Sequence, residues 1–119
     1  MKEKKIIDLI VKGIKEKKGK EIVTINLSSI QNIISDYFIV CHGDSNTQVE
    51  AITDEVERTL YENLKEKPLH KEGKANAIWI LLDYGNIIVH VFQKDTRFFY
   101  NLEGLWADGV INKIEENYN

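Results

Sequence analysis

Few residues in this chain have the types and spacing that catalysis requires. The chain contains three histidines, namely His42, His70 and His90. They show neither the HxxxH nor the HExxH spacing that brings two imidazoles onto one metal ion. Asp54 and Glu55 are adjacent on a predicted helix, where neighbours at i and i+1 do not face each other. The sequence therefore predicts no catalytic residue, no metal site and no cofactor, and it favours a packed or hydrogen-bonded His90.

A possible phosphate-binding loop lies at Gly43 and Ser45, between a predicted strand and a predicted helix. Helix N-termini attract anions. However, the loop lacks the complete GxxxxGK[ST] and GxGxxG patterns. A helix cap is the favoured interpretation, with Ser45 as the N-cap and Gln48 completing a capping box. A nucleotidyltransferase-like protein that binds phosphate or a nucleotide is kept as the alternative hypothesis. Cys41 lies in an apolar run and is expected to be a small buried hydrophobe.

The most informative stretch is a predicted β-hairpin over residues 78–92. Two short runs rich in β-branched and aromatic residues flank a turn that contains glycine. With Tyr84-Gly85 as a two-residue turn, Leu82 is predicted to lie opposite Ile87. A three-residue loop with Gly85 in the left-handed region would change these partners. The two-residue turn is preferred because it segregates the faces of the hairpin better.

Strand alternation gives the two faces of this hairpin different chemistry. One face is wholly aliphatic. The other carries Trp79, Leu81, Asp83, Ile88, His90 and Phe92. Two interpretations stay open: a helix covers this second face as core, or the face is a partly exposed apolar patch that marks a partner site. Because Trp and Tyr anchors dominate protein interfaces, the chain is predicted to be a small binding module rather than an enzyme.

The rest of the chain supplies the elements that position this hairpin, within a single predicted domain of residues 1–119. The predicted elements are a helix over 3–18, a strand over 21–27, a helical turn over 28–33, a strand over 36–41, a helix from Ser45 to the region before Pro68, a loop over 71–76, the hairpin, and a short helix over 97–106. The tail from Val110 to Asn119 is predicted to be a weak helix or frayed. Such alternation is typical of an α/β (α+β) fold, a mixed sheet flanked by helices.

Composition narrows the class of protein further. The net charge is −3, and the lysines concentrate in the first twenty positions. This balance argues against nonspecific nucleic-acid binding by charge alone, and the basic helix is interpreted as a solvated face. A single cysteine gives no disulfide, no apolar run approaches the length of a membrane span, and no signal peptide is visible. A cytoplasmic protein is the expectation.

Six stretches of the chain resemble the ribosomal silencing factor family, also called the Iojap family. In order, they are Ser35-Asp36-Tyr37-Phe38-Ile39-Val40, Gly43-x-Ser45-x-x-Gln48-Val49-x-Ala51-Ile52, Pro68-Leu69-x-x-Glu72-Gly73, Trp79-Ile80-Leu81-Leu82-Asp83-Tyr84-Gly85, Val89-His90-Val91-Phe92 and Arg97-x-Phe99-Tyr100-Asn101-Leu102-Glu103-x-Leu105-Trp106-x-Asp108. Together they cover nearly the whole chain and are highly specific. The chain departs from the family pattern at His42, where a small residue is expected, and at Asn86, where an acidic one is common.

The resemblance implies a nucleotidyltransferase-like fold without the catalytic carboxylates. It implies binding to the large ribosomal subunit through the ribosomal protein conventionally numbered fourteen. A bound factor would block joining of the small subunit and repress translation when nutrients are scarce, with a further role in large-subunit assembly. Members of the family are often homodimers when free. Ribosomal RNA contact is expected to be marginal, and a dimerisation module without ribosome contact is a third hypothesis.

Strand alternation suggests which residues would meet the ribosomal protein. The predicted contact face comprises Trp79, Leu81, His90 and Phe92, with Asp83, Arg97 and Tyr100 at its rim. The same face could instead form the homodimer, and the sequence does not separate these two uses.

Overall fold

The computed structural model describes residues 2–30 and 35–116, which build a six-stranded mixed sheet with helices on both faces. The elements are α1 (Lys2–Glu16), β1 (Lys20–Asn26), β2 (Tyr37–Gly43), α2 (Asn46–Leu64), β3 (His70–Glu72), β4 (Trp79–Asp83), β5 (Ile87–Gln93), α3 (Lys94–Tyr100), α4 (Leu102–Leu105) and β6 (Val110–Lys113). The strand order is β3-β4-β5-β2-β1-β6. The β2–β5 pair is parallel and the other pairs are antiparallel. The predicted mixed sheet flanked by helices is confirmed.

The long helix α2 begins where its cap residue predicts. Ser45 has an extended backbone, and its Oγ accepts a hydrogen bond from the Gln48 backbone N–H at 3.1 Å. The Gln48 side chain does not complete the predicted capping box, because its Oε1 accepts from the Asp44 N–H, one residue before the cap. The helix ends at Leu64, and its C-cap residue Lys65 adopts the left-handed conformation. The polar groups of this loop are therefore engaged in capping, as the favoured interpretation predicts.

Helices α1 and α2 cover one face of the sheet with an aliphatic core. Ile10 and Ile14 of α1 and Val56 of α2 are fully buried in this cluster, together with inward-facing residues of β2, β4 and β5. The helices approach closely at Gly13, where an added Cβ would lie 3.1 Å from the Val56 Cα. Strand β2 is buried on both faces along nearly its whole length, as its continuous apolar run predicts. This layer leaves the opposite face of the sheet for other contacts.

The hairpin of β4 and β5 forms as predicted, but its register differs by two residues. The Tyr84 N–H donates to the Ile87 carbonyl at 2.9 Å, so the central turn residues are Gly85 and Asn86. Leu82 consequently lies opposite Val89, not Ile87. The physical reason is that the first central position has φ +90°, which glycine adopts without strain and Tyr84 does not. Because the shift is even, each residue keeps its predicted face.

Three further elements differ from the sequence prediction. Residues 70–72 form the edge strand β3, where a loop was expected, and residues 110–113 form the opposite edge strand β6, where a weak helix or frayed tail was expected. Both strands are short and exposed along their whole length, so they lack the apolar alternation by which strands are recognised. The predicted helix over 97–106 is two helices, separated at Asn101, whose φ is +48°.

The predicted helical turn over residues 28–33 extends beyond the described residues at its C-terminal end. Within its described part, the Ile30 N–H donates to the Leu27 carbonyl at 3.0 Å, which makes a turn. In residues 2–30 and 35–116, no helix has both the length and the apolar character needed to cross a membrane.

Candidate protein-docking surface

The second face of the sheet is only partly covered, by α3, α4 and the Trp106 side chain. Its buried residues include Phe38, His90 and Phe92 from neighbouring strands. Above and beside them lie side chains that are exposed in whole or in part, which we call the aromatic surface: Trp79, Leu81, Asp83, Ile88, Tyr100 and Trp106. Both sequence interpretations therefore apply, because one part of this face is core and the other part is accessible.

Ring–ring contacts hold the aromatic surface in place. The Trp79 indole stacks on the Phe92 ring with centroids 4.7 Å apart, and it contacts the Tyr100 ring at 4.9 Å. Phe38 meets His90 edge-on at 4.7 Å and Trp106 edge-on at 5.7 Å. Such ring pairs stabilise the folded state by more than the burial of their surface area alone would. The exposed indole edge is thus fixed before any partner arrives, which lowers the entropy lost on binding.

His90 forms the polar centre of this aromatic cluster. Its Nδ1 accepts a hydrogen bond from the Trp79 Nε1–H at 3.2 Å, which places the proton of the neutral ring on Nε2. The Nε2 atom is buried and has no hydrogen-bond partner among the described residues. Burial lowers the pKa of His90 to about 4, so the ring is neutral at physiological pH. The predicted packed, hydrogen-bonded histidine is confirmed.

Acid is expected to destabilise the fold through His90. Its folded-state pKa of about 4 lies below the value near 6.5 of an exposed histidine, so the unfolded chain takes up a proton first as pH falls. The contribution of neutral His90 to the free energy of unfolding is therefore fully present above pH 6.5, the pKa of His90 in the unfolded chain. It is lost as the pH falls from 6.5 to 4, by about 1 kcal/mol per pH unit. Urea unfolding of wild type and His90→Gln across this range isolates the effect. Parallel curves for the two proteins would contradict it.

Arg97 is buried rather than placed at the rim, which corrects the sequence prediction. Only 3% of its surface is exposed, and its Nη2 donates to the Glu103 Oε2 at 3.0 Å. Its Nη1 lies 3.0 Å from the His42 Nδ1 and donates to the Lys20 carbonyl at 3.2 Å. Burial and this neighbouring guanidinium lower the pKa of His42. Arg97 thus ties α3 to the start of β1 and so positions Tyr100 over Trp79.

The seven residues predicted to contact a partner differ in accessibility. His90, Phe92 and Arg97 are buried and support the surface from beneath. Trp79, Leu81 and Asp83 are partly exposed, and Tyr100 is exposed over 49% of its area. Trp79 and Leu81 line a groove of about 310 Å³ with Glu72 and Gly73 of the neighbouring segment. The structure brings the predicted residues together, and their contact with a partner stays a prediction.

The sequence prediction omitted a strongly exposed apolar group beside this surface. Phe98 and Phe99 of α3 are 55% and 82% exposed, and Leu105 of α4 is 72% exposed. The available signal was three consecutive aromatic residues in one short helix, since a helix cannot turn neighbours at i and i+1 to the same face. These side chains extend the accessible apolar area at one end of the aromatic surface.

The remaining chemical candidates have structural explanations. Cys41 is fully buried, and burial raises the pKa of its thiol to about 12, so no thiolate is present at neutral pH. A cavity of about 750 Å³ lies beside α2 and is lined by charged side chains that pair with each other, such as Lys71 with Glu57 at 3.1 Å. No group of three or more metal-ligating side chains occurs within residues 2–30 and 35–116.

Comparison with known proteins identifies the relatives of this chain. Residues 1–118 match the family model described as "Ribosomal silencing factor during starvation". The protein named "Ribosomal silencing factor RsfS" from Halalkalibacterium halodurans is 39% identical to this chain, and the aligned region covers 97% of each of the two chains. A crystal structure of a Chromobacterium violaceum protein, 32% identical, has a TM-score of 0.82 and covers 87% of this chain and 85% of its own.

A more distant relative comes from mouse. The mouse protein named "Mitochondrial assembly of ribosomal large subunit protein 1" is 29% identical over 85% of this chain. The match covers 45% of the mouse protein.

Proposed function

Since this chain belongs to the family of ribosomal silencing factors, we propose that it binds the large ribosomal subunit through ribosomal protein fourteen. Docked there, it would block joining of the small subunit and so repress translation when nutrients are scarce. The proposed role is steric and needs no catalytic residue. A further proposed role in assembly of the large subunit is consistent with the name of the mouse relative.

The observation that carries this proposal is the fixed but accessible Trp79 on the aromatic surface. A partly exposed indole that is already stacked on Phe92 and bonded to His90 has the properties of an interface anchor. The groove next to it, bordered by Leu81, offers an apolar pocket of about 310 Å³ to a partner side chain. The surface thus combines an anchor, a pocket and a rigid base.

Acidic groups around this surface suit a basic partner. Asp83 lies within it, and the exposed Glu72 of β3 lies on the same face across from Leu81. The Asp83 carboxylate also accepts the Gly85 N–H at 2.7 Å, so its position is fixed by the turn. Ribosomal proteins are generally basic because they contact RNA, so these carboxylates would raise the association rate.

The size of the molecule suits a mechanism of occlusion. Its principal extents are 36 × 34 × 30 Å. A rigid body of this thickness, docked where two ribosomal subunits meet, would hold their surfaces apart by far more than one layer of side chains. Blocking of subunit joining would therefore require only that the protein occupies its docking site. The extent of the block would depend on the affinity of docking.

We propose further that the free protein forms a homodimer through the exposed apolar group of α3 and α4. Phe98, Phe99 and Leu105 would otherwise remain in water. Sedimentation velocity on wild type and on Phe99→Ala is the test, with a concentration-dependent dimer expected only for wild type.

Sedimentation with purified ribosomal subunits tests the proposed function. At physiological ionic strength, where charge-driven RNA binding is weak, the protein is expected to co-migrate with the large subunit and not with the small one. Added before the two subunits are mixed under joining conditions, it should reduce the fraction of joined particles. Co-migration with neither subunit, or normal joining at full occupancy, would overturn the proposal.

A further inference from the structure

The first twenty residues have a charge opposite to that of the remaining chain. They hold eight of the 16 basic residues and only three of the 19 acidic ones. In the structure, six of these lysines lie on the outer side of α1 and on the turn that follows it, which we call the lysine face: Lys4, Lys5, Lys12, Lys15, Lys17 and Lys18. All are exposed except Lys15, which is partly exposed.

Most of the lysine face lacks internal neutralisation. Lys4 pairs with Asp8 at 2.9 Å. No carboxylate of the described residues lies within 4.0 Å of the other five ammonium groups. Lys5 and Lys12 are seven residues apart, about two helical turns, so their side chains project to the same side. In a protein of net charge −3, a local excess of unpaired positive charge indicates an attraction to a polyanion.

The burial of the apolar side of α1 argues against an anionic membrane as the partner. A basic amphipathic helix can lie on an anionic membrane, but only by inserting its apolar side into the lipid. Here Ile10 and Ile14 are fully buried against α2 and the sheet. The other apolar side chains of α1, Ile6, Ile7, Leu9 and Val11, pack against the same core and are only partly exposed, so little apolar surface is left to insert into lipid or a hydrophobic groove. A partner on this side would therefore be held mainly by charge.

The net charge of the whole chain argues against charge-driven nucleic-acid binding, but that value averages over the separate lysine face. We propose that the lysine face binds the phosphate backbone of ribosomal RNA, without reading its sequence. Lysine is a point charge that suits phosphate, and α1 carries no aromatic side chain on which a base could stack. The lysine face lies on the side of the sheet opposite to the aromatic surface. RNA and a docked ribosomal protein therefore occupy different sides of the molecule, and each contact can form without the other.

Fluorescence anisotropy with a short labelled RNA duplex tests this inference. Because each neutralised phosphate releases counterions, the logarithm of the binding constant should fall with the logarithm of KCl concentration with a slope of about −3 or steeper. The variant Lys5→Gln/Lys12→Gln/Lys15→Gln should bind RNA at least tenfold more weakly at low salt. The magnitude of its salt-dependence slope should be smaller than that of wild type by about 2 to 3. Lys67→Gln/Lys94→Gln/Lys113→Gln makes the same change in net charge with exposed lysines elsewhere, and it should bind RNA nearly as wild type does.

The outcomes separate this inference from the proposed function. Equal loss of RNA binding in both triple variants would overturn the lysine face as a specific site. No RNA binding by wild type at low salt, or binding to phosphatidylserine vesicles in its place, would overturn it as well. Isolated ribosomal protein fourteen should bind the α1 triple variant as well as wild type. Absence of that binding, with RNA binding still dependent on α1, would refute the proposed docking partner and support the RNA contact.

Discussion

Replacing Arg97 with alanine is expected to lower the free energy of unfolding by about 3 kcal/mol, the lower end of the range for breaking a buried ion pair. The guanidinium is 3% exposed and bonded to Glu103, His42 and a backbone carbonyl. Its loss would leave these acceptors without their donor in a site that water reaches poorly. The lower end of the range applies because the Glu103 side chain is 28% exposed. Urea denaturation followed by circular dichroism measures the change.

Arg58 offers a matched control, because it is the other arginine of the chain. It pairs with Glu62 at 2.8 Å on the surface of α2 and also with Glu55, but its side chain is 55% exposed. Arg58→Ala should therefore lower the free energy of unfolding by clearly less than Arg97→Ala does. If Arg97→Ala were no more destabilising than Arg58→Ala and yet abolished subunit binding, Arg97 would be a direct contact, as the sequence suggests.

Replacing Trp79 with alanine is expected to weaken binding to the large subunit by at least about 30-fold, equivalent to about 2 kcal/mol at an interface anchor. The indole supplies the exposed apolar edge, and it also holds the orientation of Tyr100 and His90. Its removal would lose contact area and loosen the surface together. Binding of a fluorescently labelled protein to purified large subunits gives the dissociation constant.

Two further variants keep this test independent of folding. Leu81→Asp changes a partly exposed side chain of the same surface, so it should weaken binding with little loss of stability. Tyr61→Ala removes an exposed aromatic ring from α2, on the other side of the sheet, and should leave binding unchanged. A folded Trp79→Ala protein with wild-type affinity would remove Trp79 from the proposed contact.

The main layers of the fold could be predicted because burial leaves a pattern in the sequence. Strand β2 is continuous in apolar residues since both of its faces are covered, and the start of α2 is visible in the Ser45 cap. The division of the hairpin into an aliphatic and an aromatic face also follows from alternation alone. The edge strands β3 and β6 leave no such pattern, because their side chains point into water on both sides.

The sequence could predict which residues share the face of Trp79, but not which of them are accessible. Alternation places His90 and Phe92 on the same face as Trp79, yet it cannot show that α3 and α4 fold back over part of that face. Arg97 illustrates the limit, because an arginine in a short polar-flanked helix is usually exposed. Its burial depends on Glu103 and His42, the latter 55 positions away, which only the tertiary fold brings within bonding distance.

Photo-cross-linking from position 81 would test the docking contact most directly. A benzoylphenylalanine in place of Leu81 lies within the aromatic surface, beside the Trp79 groove. After irradiation on purified large subunits, mass spectrometry is expected to identify ribosomal protein fourteen as the cross-linked partner, and the same probe at Tyr61 should not reach it. Cross-links from position 81 to a different ribosomal protein, or only to a second copy of this chain, would contradict the proposed mode of binding.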